Sequence, residues 1–274
     1  MSAVPVITLN NGVEIPQLGF GVFQVPPEET VKATLTALET GYRHIDTAEG
    51  YGNEREVGEA IRASGLDRAD VFVTSKLHNR AHARDDALRA FDATMDALGF
   101  DVLDLFLIHW PRPAESDYVA TWRVMEEIHR TGRVRAIGVS NFQVPHLERI
   151  LAETETVPAV NQIEVHPYLT NEAVRAFGRA HGIVTEAWSP IAKGECLNDP
   201  VLVRIAQAHG RSTAQVTLRW HVQRGDVIFP KSVTPSRVAE NFDIFGFSLT
   251  DAEIAEIVTL DRGYRTGPDP DTFA

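Results

Sequence analysis

With 274 residues, 43 % of them hydrophobic and 23 % charged, the chain has the composition of a soluble globular protein able to bury a substantial core. Its 26 Lys and Arg against 38 Asp and Glu give a formal net charge of −12, which argues against non-specific binding to nucleic acid or anionic membrane. The single cysteine, Cys196, excludes an internal disulfide framework, no run approaches the ~20 apolar residues of a membrane span, and the start MSAVPVITLNNG lacks the features of a secretory leader, so a cytoplasmic protein is expected.

The predicted elements begin with a hairpin. VITL (6–9) and VEI (13–15) flank Asn10, Asn11 and Gly12, residues suited to the positive φ of a tight turn. Eight short apolar runs follow: LGFGV (18–22), RHIDT (43–47), VFVTSK (71–76), DLFLIHW (104–110), RAIGVS (135–140), AVNQIE (159–164), IVTEAWS (183–189) and VIFPKS (227–232). Amphipathic stretches lie between them. EETVKATLTALETG (28–41) sets Val31, Leu35 and Leu38 on one face and stops at glycine, and NEREVGEAIRASG (53–65) carries Val57 and Ile61 four apart. Strand–helix alternation with nearly continuous apolar strands predicts an α/β fold with a parallel sheet covered on its outer face. Eight units fit a closed (β/α)8 TIM barrel in one domain, 1–274, with the N-terminal β-hairpin closing the barrel bottom. An open doubly wound sheet would want a glycine-rich nucleotide turn, but Gly19-x-Gly21 leads to Gln24 where the third glycine belongs.

The strands end on polar or aromatic groups: Asp46, Lys76, His109 with Trp110, Ser140 with Asn141, Gln162 with Glu164, Trp188 with Ser189, and Lys231 with Ser232. In a (β/α)8 barrel these ends meet at one face, where the chemistry sits. Tyr51, between Gly50 and Gly52, joins them. A tyrosine of pKa about 10 is a weak acid, and the Lys76 ammonium would stabilise its phenolate and lower that value. Asp46 would keep a buried Lys76 charged, and His109 would direct a substrate oxygen. A proton donor without a nucleophile suits carbonyl reduction, which needs a hydride that only a nicotinamide cofactor supplies. Trp188 offers a flat surface for the ring, and Ser140, Asn141 and Gln162 offer hydrogen bonds to its carboxamide. Lys231, Ser232, Thr234 and Arg237 form a local basic, hydroxyl-rich group at a helix start, suited to a phosphate, which favours NADPH over NADH.

These residues fall in eight motifs that resemble the aldo-keto reductases from end to end: LGFGVF (18–23), GYRHIDTAEGYGNEREVG (41–58), TSKL (74–77), LIHWP (107–111), GVSNF (138–142), NQIEVHP (161–167), WSP (188–190) and PKSV (230–233). The closest likeness is to the bacterial branch of 2,5-diketo-D-gluconate reductases, which also carry a tryptophan at the position of Trp188. The resemblance implies a catalytic tetrad of Asp46, Tyr51, Lys76 and His109, with Tyr51 as the acid. It implies NADPH (NADP+) extended across the barrel mouth, its carboxamide held by Ser140, Asn141 and Gln162 and its ring on Trp188 beside Ser189. Lys231, Ser232, Val233, Thr234 and Arg237 would hold the 2′-phosphate, with Glu240 and Asn241 on the adenine side. Phe23, His78 and Trp110 would line the pocket for a small-molecule carbonyl. A monomer is expected.

The chain departs from relatives at His78, where many carry tryptophan, and at Thr234, where arginine is frequent, which weakens the case for strong NADPH preference. The tail RGYRTGPDPDTFA (262–274) falls in the family's variable loop region; the pocket is expected to depend on it and on the loops near 112–118 and 191–199, which leaves the substrate undetermined. His78 and His82 stand four apart, but no carboxylate completes a metal pattern and no metal is expected. Nothing marks Cys196 as reactive, and GVSNF lacks the second glycine of a hydrolase elbow around Ser140. The alternative to an enzyme is a cofactor-binding regulatory subunit with little turnover.

Overall fold

The computed structural model describes residues 4–273. Residues 1–3, which open the stretch read for a leader, and residue 274 at the end of the tail lie outside the described residues.

The hairpin forms as β1 (Val6–Thr8) and β2 (Glu14–Pro16), antiparallel with Ile7 opposite Ile15. Gly12 adopts φ 85°, as the turn requires. Asn10 and Asn11 donate to the carbonyls of Pro158 and Arg135 at 3.0 Å each. Those carbonyls lie near strand starts, so the hairpin closes the barrel bottom.

The eight strands are β3 (Phe20–Gly21), β4 (His44–Asp46), β5 (Phe72–Leu77), β6 (Leu103–Ile108), β7 (Val134–Ser140), β8 (Val160–Glu164), β9 (Val184–Trp188) and β10 (Val227–Ile228). Each is parallel to the next. The seam is closed by a parallel bridge between Leu18 and Ile228, with Gly19 N–H donating to the Ile228 carbonyl at 2.8 Å. Gly19 is required there, because a Cβ would stand 2.7 Å from the Phe229 ring. The last strand is shorter than the predicted 227–232, since Pro230 has no N–H to continue the ladder.

Helices α1 (Pro27–Thr40) and α2 (Glu54–Ala63) follow β3 and β4, close to their predicted ranges. α3 (Arg84–Leu98), α4 (Tyr118–Arg130), α5 (Val144–Glu153) and α6 (Glu172–Ala180) continue the alternation. The crossover from β9 to β10 holds two helices, α7 (Pro200–His209) and α8 (Thr213–Gln223). α9 (Pro235–Phe242) and α10 (Asp251–Val258) end the array, the latter started by a reciprocal cap between Thr250 and Glu253.

Strand alternation sorts the core into two layers. Val73, Leu77, Phe106, Ile108, Ile137, Val139 and Ile163 pack outward with the helices. Phe72, Leu105, Leu107, Ala136, Val160, Val227 and Phe229 fill the barrel together with Leu9 and Ile15 of the hairpin region. Two and four residues beyond Phe72 on the same strand face come Thr74 and Lys76, so the apolar filling gives way to polar groups toward the C-terminal mouth. Among the described residues no helix is long and apolar enough to cross a membrane.

Candidate active site

Lys76 is the centre of the mouth. It is fully buried on β5 and donates to both Asp46 oxygens, at 2.8 and 2.9 Å, and to the Thr47 carbonyl at 2.9 Å. Its Nζ also lies 3.2 Å from Tyr51 Oη and 4.9 Å from that ring's centroid. Burial disfavours the ammonium, but Asp46 and Tyr51 outweigh it and hold the Lys76 pKa above its ordinary value. Removing one partner of such a buried pair costs about 3–5 kcal/mol. Tyr51 sits on the one-turn helix Glu49–Tyr51, which ends at Gly52 with φ 69°. The His109 ring meets the Tyr51 ring edge-on at 5.8 Å.

The electrostatics correct one expectation. Burial raises the Tyr51 pKa above 10.0; Lys76 opposes this, while Asp46 adds to it, and the net direction is upward. The phenol therefore rests protonated, the form a proton donor needs, and the Lys76 ammonium would stabilise a phenolate at that position. His109 is held well below the ordinary histidine range by burial first, and then by the neighbouring Lys76 ammonium, so it is neutral. Its ring makes no hydrogen bond among the described residues.

A hydrogen-bonded floor joins the next strands. Ser140 donates to the Gln162 carbonyl at 2.9 Å, and Asn141 Nδ2 donates to the His109 carbonyl at 3.0 Å and to Ser140 Oγ at 3.1 Å. Trp188 Nε1 donates to Asn141 Oδ1 at 2.8 Å, which fixes the half-buried indole. Asn141 adopts φ 66° and Ser189 φ 49°, both left-handed, where the chain turns away from its strand. Gln162 does not have both ends of its amide free for a carboxamide. Its Nε2 donates to Asp46 Oδ2 at 2.8 Å and to Glu186 Oε2 at 2.9 Å, and only Oε1 is left without a partner among the described residues.

Phe23 is half-exposed and stands 5.0 Å from Tyr51, ring to ring. His78 lies beside Gly50, and its Nδ1 accepts from the Arg80 amide at 3.1 Å, whereas His82 Nδ1 lies 2.7 Å from Ser116 Oγ. Trp110 is buried against Phe273, with centroids 4.4 Å apart. Burial pushes the Cys196 thiol up to about 12, so it is inert at neutral pH.

The predicted phosphate group is separate from this network. Lys231, Val233, Thr234 and Arg237 are exposed, Glu240 is intermediate, and Ser232 and Asn241 are buried. None of these side chains bonds to the tetrad among the described residues. Lys231 and Arg237 have no carboxylate partner there, no side chain caps the start of α9, and Ser232 Oγ accepts from the Thr234 amide at 3.1 Å.

One buried group was not anticipated, and the tail takes a path that its sequence does not give. Glu186 is fully buried one alternation below Trp188, a position that the spacing Glu-x-Trp in IVTEAWS marks as inward-facing. The C-terminal segment crosses the mouth: Thr266 donates through N and Oγ1 to Glu164 Oε1 at 2.6 Å each, Lys193 donates to the Thr266 carbonyl at 2.7 Å, and Gly267 lies on the Trp188 ring. Nothing in the tail's sequence signals those contacts.

Comparison with known proteins places this geometry among relatives. Residues 17–262 match the model of the Aldo/keto reductase family. The chain is 50 % identical over 279 residues to morphine 6-dehydrogenase of Pseudomonas putida, covering 97 % of this chain and 94 % of that one. It is 45 % identical over 278 residues to methylglyoxal reductase DkgA of Escherichia coli (strain K12), covering 100 % and 99 %. A crystal structure of a Gox0644 mutant in complex with NADPH superposes with a TM-score of 0.96 at 44 % identity, over the full length of both chains.

Proposed function

The chain belongs to the aldo/keto reductase family, and from that premise we propose that it reduces small aldehydes, ketones and dicarbonyls to alcohols with NADPH, Tyr51 donating the proton. The observation that carries this reading is the contact chain from Asp46 through Lys76 to Tyr51, with neutral His109 against the phenol. The relative named for methylglyoxal reduction and the structural neighbour crystallised with NADPH support the substrate class and the cofactor.

NADPH, when bound, supplies the hydride. Tyr51 gives its Oη proton to the carbonyl oxygen, and Lys76 stabilises the phenolate left behind. His109 donates a hydrogen bond that fixes the oxygen's direction. Gln162 Oε1, Asn141, Ser140, Ser189 and the half-buried face of Trp188 fit the nicotinamide end. Lys231, Ser232, Val233, Thr234 and Arg237 fit a phosphate by cations with no carboxylate partner and a helix start with no side-chain cap among the described residues, with Glu240 and Asn241 beside them. Phe23, His78 and Trp110 form the carbonyl side of the pocket. The chain acts as one domain, a monomer of the cytoplasm.

The test is titration with NADPH and NADH by tryptophan fluorescence, followed by methylglyoxal, phenylglyoxal and diketogluconate while reduced cofactor is recorded by absorbance. Tight NADPH binding and steady multiple turnover are expected. Binding with no turnover across the carbonyl panel would favour a cofactor-binding regulatory subunit, and no binding would end the reading.

A further inference from the structure

Glu186 is a buried ionisable group of the mouth that the tetrad does not use. Glu186 lies on β9 with no solvent exposure, in register with Gln162 on β8. Gln162 Nε2 divides its two hydrogens between Glu186 Oε2 at 2.9 Å and Asp46 Oδ2 at 2.8 Å. Asp46 is in turn bonded by both oxygens to Lys76, and Lys76 to Tyr51. A continuous line of hydrogen bonds therefore runs from Glu186 to the proton donor. The other carboxyl oxygen of Glu186, Oε1, is buried with no partner among the described residues. An ionised carboxylate left with one hydrogen bond in such a place is far costlier than a neutral acid.

The charges facing Glu186 are Asp46 on β4 and Lys76 on β5. Asp46 and Lys76 neutralise each other. Burial, and then the Asp46 charge, push the Glu186 carboxyl up to about 8, against the opposing influence of Gln162 and Lys76. With Glu186 protonated, the buried group is neutral before reaction, and the phenolate that forms on Tyr51 faces an ammonium. With Glu186 ionised, a second buried anion opposes that phenolate.

We propose that Glu186 is a positioning residue for the proton donor: through the Gln162 amide that it shares with Asp46 it sets how strongly Lys76 stabilises the Tyr51 phenolate. This rests on the reductase reading. Its consequence is a loss of proton-donating power when Glu186 ionises, well before Tyr51 itself titrates.

The experiment compares wild type with Glu186→Gln, which is isosteric and permanently neutral. kcat is measured from about pH 6 to about pH 10 on a carbonyl whose chemical step is slow, with NADPH affinity followed in parallel. The wild type should lose roughly three- to ten-fold in kcat as pH rises through about 8, with NADPH affinity unchanged. Glu186→Gln should match wild type at the acid end within about two-fold and lack that limb. A limb that persists unchanged in the variant overturns the proposal. A second measurement needs neither turnover nor a folded variant: the carboxyl carbon-13 resonance of Glu186 in the labelled wild-type apoprotein should titrate near 8. Turnover with a resonance that titrates in the ordinary carboxylate range sinks the role of Glu186 alone. A protein that turns over no carbonyl sinks the reductase reading, and this role with it.

Discussion

Tyr51 is held as a weak acid by burial and made useful by an ammonium 3.2 Å away. Tyr51→Phe removes the transferable proton and little else, so NADPH affinity should stay nearly intact while turnover falls at least ~10²-fold. Wild-type turnover in that variant, on a substrate with a slow chemical step, would remove Tyr51 from its role. Glu186 makes a separate prediction about stability. Its carboxyl is raised from 4.5 to about 8 on folding, so between those values the folded state binds more protons than the unfolded one. Stability from this site is complete below 4.5 and drains away as pH rises through about 8. Glu186→Gln should therefore raise Tm relative to wild type at pH 8, with the gain shrinking toward pH 4. A gain independent of pH would mean that the site does not titrate as described.

At the scale of elements, two pieces flank the tetrad. The start of α9 offers Arg237 and Lys231 without carboxylate partners among the described residues. Arg237→Ala should weaken NADPH by roughly ten- to a hundred-fold, since a hydrogen bond to a charged group is worth about 1.5–3 kcal/mol, and should change NADH less than about two-fold. Equal losses in fluorescence titrations would remove the 2′-phosphate assignment. The C-terminal segment is the other piece. His166 and Thr266 hydrogen bonds overcome burial and hold the Glu164 carboxyl below its ordinary value, so the latch on Thr266 is ionic at neutral pH. Gly267 fits because a Cβ there would reach 2.5 Å from the Trp188 ring. Gly267→Val should lift the tail and raise the carbonyl KM by about three-fold or more, with Tm little changed. An unchanged KM would take the tail out of the substrate wall.

The whole molecule is one ring of strands whose two ends meet at Leu18 and Ile228, so its last barrel strand supports its first. Urea unfolding followed by far-ultraviolet circular dichroism and by tryptophan fluorescence should give coincident transitions; two separated ones would divide the chain into independent units. Much of this architecture was legible in the sequence. Alternating apolar runs and amphipathic stretches give parallel strands under helices, and polar residues at strand ends mark the reactive face, because both follow from local periodicity and the direction of the chain. RHIDTAEGYG put Asp46 at a strand end and Tyr51 in the glycine-flanked turn beyond it, as the structure has them. Local rules could not find the second half of the crossover after β9, the early end of β10 or the path of the tail. They gave the sign of the Lys76 influence on Tyr51 but not the larger opposing effect of burial, since desolvation depends on what packs around a side chain and not on its neighbours in sequence. What the sequence by itself determined is the set of groups that reach the barrel mouth. Only the tertiary structure decided that Gln162 divides its amide between Asp46 and Glu186, and that Glu164 holds the tail on Trp188, because those contacts join residues 24 to 116 positions apart whose meeting depends on strand register and barrel closure.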